Sequence, residues 1–258
     1  MSETRGLQIS SLSVRYGGVV ANDRISLTAP PASITGLIGP NGAGKTTLLD
    51  AVTGFVPSSG AVTLNGVRLN RLAPHRRARQ GLARTWQSLE LFDELTVREN
   101  VQVAASALTV RSMLVDLVWP SHRQAGADPD DVLALLGLDQ LRDRRPSSLS
   151  LGHQKRVGVA RALAASPSCL LLDEPAAGLD TNESIELGRQ LVAIAERGAA
   201  VLLVDHDMDL VLEVCSHIYV LDFGRLIAEG SPAEIRDNEV VIAAYLGNPA
   251  TALEAVTV

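Results

Sequence analysis

Residues 39–46 have the sequence GPNGAGKT, which fits the phosphate-loop pattern G-x-x-x-x-G-K-[ST] and decides the fold. A short apolar run at 33–38 comes before this stretch, and residues 45–52 have the pattern of a helix. Glycines let the backbone approach phosphate groups closely, so that consecutive N–H groups and the helix N-terminus face the anion. The sequence therefore predicts a nucleotide site between a strand and a helix.

The chemistry of this loop indicates a nucleotide and Mg²⁺ as cofactors, as in kinases and GTPases as well as ATPases. Lys45 is predicted to reach the β- and γ-phosphates, and the Thr46 hydroxyl is predicted to bind Mg²⁺. The nucleotide-binding residues predicted in this segment are Gly39, Pro40, Asn41, Gly42, Ala43, Gly44, Lys45, Thr46 and Thr47.

A second motif, at residues 169–174, has the sequence CLLLDE, an apolar strand that ends in two carboxylates. An open parallel sheet binds its ligands at the carboxyl ends of its strands. Asp173 is therefore predicted to hold Mg²⁺, directly or through water. Glu174 is predicted to polarise the attacking water as a general base.

The order of predicted elements indicates one α/β domain. Strands are predicted at 7–14, 23–29, 60–65, 82–86, 168–173, 199–204 and 217–223, with helices at 181–196 and 207–215. From about 88 to 165 the pattern is helical with almost no strand signal. The expected organisation is one domain over 1–250, with a core at 1–87 and 166–250, a helical subdomain at about 88–165, and a tail at 251–258.

The composition excludes several classes of protein. With 46% hydrophobic residues and a net charge of −6, the chain is globular and has no general attraction to nucleic acid. Its two cysteines, Cys169 and Cys215, form neither a disulfide framework nor a metal-ligand spacing, and are expected to be buried. Because neither a spanning run of roughly 18 apolar residues nor a signal peptide is found, a cytoplasmic location is expected.

The remaining motifs resemble the ABC ATPase superfamily and follow one another in that family's order. Gln87, in the sequence RTWQ, matches the glutamine of the loop that joins the core to the helical lobe. The resemblance implies that Gln87 contacts Mg²⁺ and the attacking water and signals to a permease. It also implies a P-loop NTPase core, with a RecA-like, mostly parallel sheet, antiparallel N-terminal strands and an inserted α-helical subdomain.

Residues 149–154, with the sequence LSLGHQ, resemble the family signature LSGGQ. Ser150 and the Gly152 N–H stand at the start of a predicted helix and are natural anion donors. In the family this motif closes over the γ-phosphate of the ATP bound to the other protomer. Leu151 replaces a glycine at a position that the family varies, and His153 stands where glutamine is usual.

Three further residues match positions that contact nucleotide or the second protomer in the family. Asp180, in AGLD, matches the dimer-contact loop, and His206, in LVDHD, matches the switch histidine that contacts the γ-phosphate. Tyr16, followed by two glycines, matches the aromatic residue that stacks on adenine. The resemblance therefore implies that two protomers bury two ATP molecules at their interface.

Within the superfamily the chain looks most similar to the ATPase subunits of branched-chain (hydrophobic) amino-acid importers. The supporting stretches are 16–21, 81–87, 91–100, 229–235 and 242–247. This resemblance implies a second ABC ATPase subunit, identical or paralogous, together with permease subunits and an extracytoplasmic substrate-binding protein. It also implies a peripheral position on the cytoplasmic face of the inner membrane, with no nucleic-acid partner.

Three alternatives remain open at the level of sequence. The ATPase of the lipopolysaccharide exporter has a similar C-terminal stretch. Non-transport ABC ATPases of DNA repair or translation usually carry two cassettes or a long coiled-coil insertion, and this chain has neither. A regulatory module that holds ATP with little turnover is the third, because His153 departs from the signature.

Overall fold

A computed structural model describes residues 5–86, 90–105 and 126–246. The strands in these ranges are β1 Leu7–Tyr16, β2 Val19–Ala29, β3 Ser33–Ile38, β4 Ser59–Leu64, β5 Val67–Arg68, β6 Leu82–Arg84, β7 Cys169–Asp173, β8 Ala200–Val204, β9 His217–Asp222 and β10 Arg225–Gly230. The helices are α1 Lys45–Thr53, α2 Pro74–Arg79, α3 Val97–Ala105, α4 Pro129–Leu135, α5 Leu151–Leu163, α6 Thr181–Glu196, α7 Met208–Val214, α8 Pro232–Arg236 and α9 Glu239–Leu246. Between β6 and β7 the described residues form helices and turns and no strand.

The larger sheet has six strands in the order β10-β9-β3-β8-β7-β6. Its neighbouring strands are parallel except for β10, which runs antiparallel to β9. Every residue of β7 and β8 is buried, because central parallel strands are covered on both faces and are therefore apolar throughout. The predicted mostly parallel sheet is confirmed.

The smaller sheet is antiparallel, in the order β2-β1-β4-β5, and is built from the N-terminal part of the chain. The antiparallel N-terminal strands are thus confirmed as well. The sequence pattern does not predict β10, which follows the turn at Phe223 and Gly224. As an edge strand with one buried residue, β10 lacks the apolar alternation that identifies a half-buried strand.

Two hydrophobic clusters lie on opposite faces of the large sheet, because alternate side chains of a strand point in opposite directions. In β7, Leu170 and Leu172 belong to one cluster, and Cys169 and Leu171 belong to the other. The second cluster lies around α1, whereas the first extends into the helices between β6 and β7. Full burial of each leucine side chain stabilises the fold by roughly 1.5–3 kcal/mol.

Both cysteines are buried and free, as predicted. Burial raises the pKa of each thiol to about 12, so both side chains stay neutral and pack as small apolar groups.

Candidate nucleotide-binding and catalytic site

The phosphate loop lies between the end of β3 at Ile38 and the start of α1 at Lys45. Gly39, Gly42 and Gly44 have φ angles of 150°, 81° and 101°, a region that other residues rarely adopt. A Cβ atom at Gly39 would also collide with the backbone oxygen of Leu221 in β9. The loop can therefore pass this closely along the sheet only with glycine at position 39.

The N-terminus of α1 is left without a side-chain cap. Gly44 occupies the N-cap position in the left-handed conformation and has no side-chain oxygen that could accept from the first N–H groups. The carbonyls of the loop are fixed instead: Ala43 O accepts from Gly224 N at 2.9 Å, and Gly44 O accepts from Asn22 Nδ2 at 3.2 Å. A fixed loop with an uncapped helix N-terminus suits an anion.

Lys45 is buried although it carries a charged group, with 7% of its surface exposed. Its Nζ donates to the carbonyl oxygens of Gly39 at 2.6 Å and Pro40 at 3.0 Å. Burial lowers the pKa of Lys45, and the negative charges of Glu174, Asp173 and Asp205 oppose that shift. The ammonium group is therefore held inside the loop, within the electrostatic field of the carboxylates that follow β7 and β8.

Asp173 ends β7 and is buried, with 3% of its surface exposed. Its Oδ2 accepts from Arg84 Nη2 at 2.8 Å, and its backbone N–H donates to Thr85 Oγ1 at 3.2 Å. Burial raises the pKa of Asp173, and the hydrogen bond from Arg84 acts against that shift. The carboxylate thus stands at the carboxyl end of a central strand, where the sequence predicts a metal ligand.

Glu174 is half-buried and begins the turn that follows β7, with a φ of 51°. Its backbone N–H donates to Val204 O at 2.7 Å, and its carbonyl oxygen accepts from Lys155 Nζ at 3.0 Å. The backbone of Glu174 is therefore strained, and its hydrogen bonds to Val204 and Lys155 hold it in this conformation.

Asp205 is fully buried and joins the turns that follow β7 and β8. Its carboxylate accepts from the backbone N–H groups of Ala176 at 2.9 Å, His206 at 2.8 Å and Asp207 at 3.0 Å. The His206 side chain is 57% exposed, with Nδ1 3.7 Å from Asp205 Oδ1. Asp205 was missed as a site residue, although its position after the apolar strand β8 repeats the pattern of Asp173.

The available oxygen donors fit a Mg²⁺ ion that is bound together with nucleotide. Asp173 offers a carboxylate, and Thr46 offers an exposed hydroxyl in the first turn of α1. Within 5–86, 90–105 and 126–246, no group of three or more His, Cys, Asp and Glu side chains could hold a metal ion. Mg²⁺ usually takes one or two carboxylates and completes its shell with phosphate oxygens and water. Gln87, the third predicted ligand, lies outside the described residues.

The signature segment forms a second group, at the N-termini of α5 and α6. Ser150 caps α5, its Oγ accepting from His153 N at 3.3 Å and lying 2.8 Å from His153 Nδ1. Asp180 caps α6 by accepting from Glu183 N at 2.9 Å, and Ser150 Oγ donates to Glu183 Oε1 at 3.4 Å. A Cβ atom at Gly152 would collide with the Glu183 carboxylate. Ser150, Gly152 and Asp180 therefore lie around Glu183, a residue that the sequence motifs do not indicate.

Tyr16 ends β1, where it pairs with Val19 across the turn formed by the two glycines. Half of its surface is exposed, and Val19 and Val20 beside it are exposed as well. An open aromatic face next to apolar side chains is the kind of surface on which a base can stack.

Comparisons with known proteins identify the family to which the chain belongs. The family model described as ABC transporter matches residues 22–177, and that described as branched-chain amino acid ATP-binding cassette transporter matches residues 225–251. The high-affinity branched-chain amino acid transport ATP-binding protein LivG of Escherichia coli K12 is 39% identical over 248 residues, or 93% of this chain and 97% of the relative. The corresponding protein BraF of Pseudomonas aeruginosa is 37% identical at the same coverage. The lipopolysaccharide export system ATP-binding protein LptB of E. coli K12 is 36% identical over 242 residues, again 93% and 97% of the two chains.

Solved structures show the same likeness. A nucleotide-free ATP-binding cassette from an ABC transporter superposes with a TM-score of 0.81 at 28% identity, covering 94% of this chain and 99% of that one. An ATP-binding cassette in its ADP conformation gives the same TM-score and coverage at 27% identity. This chain therefore belongs to the ABC transporter family, as one of its ATP-binding subunits.

Proposed function

We propose that this ABC subunit hydrolyses ATP at the site around Lys45 and couples hydrolysis to the uptake of branched-chain or other hydrophobic amino acids. The observation that carries the hydrolytic part is the buried ammonium group of Lys45, which the Gly39 and Pro40 carbonyls hold inside the phosphate loop. The Asp173 and Glu174 carboxylates lie at the end of β7 in the same sheet as the strand before this loop. We propose that this cation binds phosphate, that one carboxylate binds metal, and that the other acts on water in a shared site. Such a set is what phosphoryl transfer to water requires.

In this proposal each residue of the site contacts a different part of the nucleotide, the metal or the attacking water. Lys45 exchanges the carbonyls of its own loop for β- and γ-phosphate oxygens, while the backbone N–H groups of 39–47 surround the phosphates. Glu174 accepts a proton from the attacking water, and His206 donates to the γ-phosphate. Mg²⁺, held by Thr46, Gln87 and Asp173, would neutralise charge on the phosphates when bound. Tyr16 stacks on the adenine.

The signature group serves a neighbouring protomer. Ser150, Gly152 and Asp180 are proposed to approach the γ-phosphate of ATP bound to a second ABC ATPase subunit, identical or paralogous. Each ATP is then enclosed only when two subunits meet, so binding favours the closed dimer. We propose that the helical subdomain at about 88–165 moves against the core at 1–87 and 166–250 during closure.

The partners proposed in the membrane are permease subunits, served outside by a substrate-binding protein. None of the helices in the described ranges has the length and apolar character needed to cross a bilayer. An open groove of about 580 Å³ is lined by Phe55, Pro74, Ala78, Trp86 and Ala162, among others. A permease segment docking there would hold the subunit on the cytoplasmic face of the inner membrane, next to the Gln87 loop.

The amino-acid substrate class is proposed because residues 225–251 match a family model of branched-chain amino acid cassettes. Two relatives named for branched-chain amino acid transport are 37% and 39% identical over the same share of the chain. The lipopolysaccharide exporter relative at 36% identity supplies the alternative, in which the same motor drives export.

Hydrolysis is tested with Glu174→Gln, which removes the proposed base and keeps the phosphate loop and Asp173. We expect ATP affinity by calorimetry to be retained, and the hydrolysis rate to fall roughly 10²–10⁴-fold. The variant should accumulate a nucleotide-loaded dimer on size exclusion. Glu196→Gln, which changes an exposed carboxylate at the end of α6, is the matched control and should hydrolyse normally. Parental turnover in Glu174→Gln would remove Glu174 from this role.

Substrate class is tested in cells that lack the gene. We expect accumulation of labelled leucine, isoleucine and valine to fall, and to be restored by the wild-type chain but not by Lys45→Ala. Normal uptake combined with loss of surface lipopolysaccharide would replace import by the export alternative.

A further inference from the structure

Arg84, the last residue of β6, places a buried guanidinium between three other side chains. Nη2 donates to Asp173 Oδ2 at 2.8 Å, and Nη1 donates to Asp50 Oδ1 at 2.5 Å. Its Cζ lies 4.4 Å from the centre of the Trp86 ring. With 4% of its side chain exposed, the guanidinium is held by these contacts rather than by bulk water.

The two carboxylates belong to different parts of the nucleotide site. Asp173 ends β7 and is the proposed metal ligand, and Asp50 lies in α1, the helix that begins at the end of the phosphate loop. The Nε atom of Arg84 is buried and has no hydrogen-bond partner among the described residues, so one of the donors of the guanidinium is unused there. Arg84 is thus held mainly by charge, and its position depends on what else binds Asp173.

On its other side Arg84 reaches the groove. Trp86 is 45% exposed and packs edge to face against Phe55, with ring centres 5.0 Å apart. Arg84 lines this groove and also a smaller cavity of about 270 Å³ that contains Asp173 and Glu174. Trp86 and Arg161 line both cavities as well, but among these three side chains Arg84 is the one that forms an ion pair with Asp173.

A divalent cation at Asp173 would share the carboxylate that Arg84 now holds, and like charges repel at such short range. The guanidinium would then shift relative to the face of Trp86, to which it is attracted. Linkage works in both directions, so a partner that moves Trp86 changes how firmly Arg84 holds Asp173.

We propose that Arg84 is a positioning residue that couples metal–nucleotide binding at Asp173 to the Phe55–Trp86 pair in the groove. The inference rests on the proposed function of the site. If Arg84 had only a structural role, it would hold Asp173 in place, and metal binding would not change the environment of Trp86. The fluorescence emission of Trp86 therefore distinguishes the two roles.

The test uses Trp86 emission in a Trp119→Phe, Glu174→Gln background, because the chain has two tryptophans and turnover must be suppressed. With ATP saturating, added Mg²⁺ should change the emission of Trp86, since a cation moves over its ring. Arg84→Lys keeps the charge but loses the planar fork that spans both carboxylates and the ring. We expect the Trp86 response to be lost in this variant, while calorimetry still detects ATP binding.

Arg161 provides a matched control within the same groove. Its guanidinium lies 4.9 Å from the centre of the Phe92 ring and borders both cavities, but it donates to the Glu90 carbonyl. Arg161→Lys should leave the Trp86 response intact. A response that persists in Arg84→Lys, or is lost equally in Arg161→Lys, would overturn the inference.

A second experiment changes Trp86 and measures the effect on Mg²⁺ binding, so it does not depend on whether an Arg84 variant folds. Trp86→Ala should shift the half-saturating Mg²⁺ concentration for ATP binding by about two- to fivefold, the range of a cation–π contact at a partly exposed site. Trp86→Phe should restore most of the parental value, and Phe92→Ala should leave it unchanged. An unshifted value in Trp86→Ala overturns the coupling, whereas absence of ATP binding in the parent overturns the proposed function itself.

Discussion

The phosphate loop and the signature segment both present a helix N-terminus, yet the two ends are in different states. At α1 the N-cap residue is Gly44, which has no side chain to offer the first N–H groups. At α5 the N-cap residue is Ser150, whose hydroxyl accepts from His153 N and donates to Glu183. One end is open to an anion, and the other is already occupied by its own neighbours.

Because of this difference, the N-termini of α1 and α5 should differ in their ability to bind nucleotide in a single subunit. An uncapped N-terminus beside a buried lysine is prepared for phosphate before any ligand arrives, so nucleotide binding should need one subunit only. At the N-terminus of α5, the Ser150 hydroxyl must first give up its hydrogen bond from His153 N before a phosphate can bind. The Glu183 carboxylate beside Gly152 also repels a phosphate group. The signature segment should therefore have little affinity for nucleotide in an isolated subunit. This agrees with the proposal that it contacts ATP bound to another subunit.

The largest expected effect breaks the capped end. Ser150→Arg would put a bulky cation where small donors must approach the γ-phosphate, so hydrolysis should fall by more than about 100-fold, the loss seen when a transition-state donor is removed. ATP affinity measured on the monomer should stay nearly parental. Ser147→Arg, an exposed residue three positions earlier, is the control and should leave hydrolysis unchanged. Parental hydrolysis by Ser150→Arg in a dimer-forming preparation contradicts the assignment.

The next effect breaks the open end. Lys45→Ala removes the cation that opposes the phosphates, and ATP affinity by calorimetry should fall about ten- to a hundredfold, the value of a charge-assisted hydrogen bond. Lys155→Ala is the control for affinity, because that ammonium donates to the Glu174 carbonyl and not to the loop. Unchanged affinity in a folded Lys45→Ala protein would mean that the loop holds its ligand by backbone groups alone.

A smaller effect tests how tightly the open end is built. A Cβ at Gly44 would lie 2.6 Å from Ala21 O and 2.7 Å from Asn22 Nδ2, whereas one at Gly42 would meet nothing within 4 Å. Gly42→Ala should therefore lower the free energy of unfolding only by the backbone strain, about 1–2 kcal/mol. Gly44→Ala adds a steric clash and should cost more. Denaturant titration compares the two, and equal losses would show that the packing around Gly44 yields readily.

The smallest effect concerns His153. Burial and then the charge of Arg156 lower the pKa of His153, with Glu183 opposing them. Below about pH 6.5 the unfolded chain takes up a proton that the folded chain resists, so stability falls as the pH drops through this value. The urea midpoint of the wild type should therefore decrease between about pH 7.5 and 5.5 relative to His153→Gln. His153→Gln should hydrolyse ATP at the parental rate or faster, and a parallel pH dependence of the two midpoints argues against the shift.

The sequence predicts the phosphate loop and the strand before Asp173 because the information is local. The phosphate loop is indicated by its glycine pattern and the helix that follows it, and the strand by its four apolar residues. Neither depends on contacts with distant parts of the chain. Arg84 and Glu183 were not predicted as part of the site, because their roles depend on partners far away in the chain. Arg84 meets Asp173 across 89 positions, and Glu183 meets Ser150 across 33. Whether Gln87 joins the site remains a prediction, since it lies outside the described residues.

Asp205 has a consequence for how the site can move. One carboxylate accepts from the turn after β7 and from the turn after β8, so the two turns have few independent degrees of freedom. Glu174 and His206 stand on these turns and are fixed to each other through the backbone. When the site rearranges, the backbones of both residues should travel as a single rigid unit, so that the spacing between the two turns is set before any substrate enters.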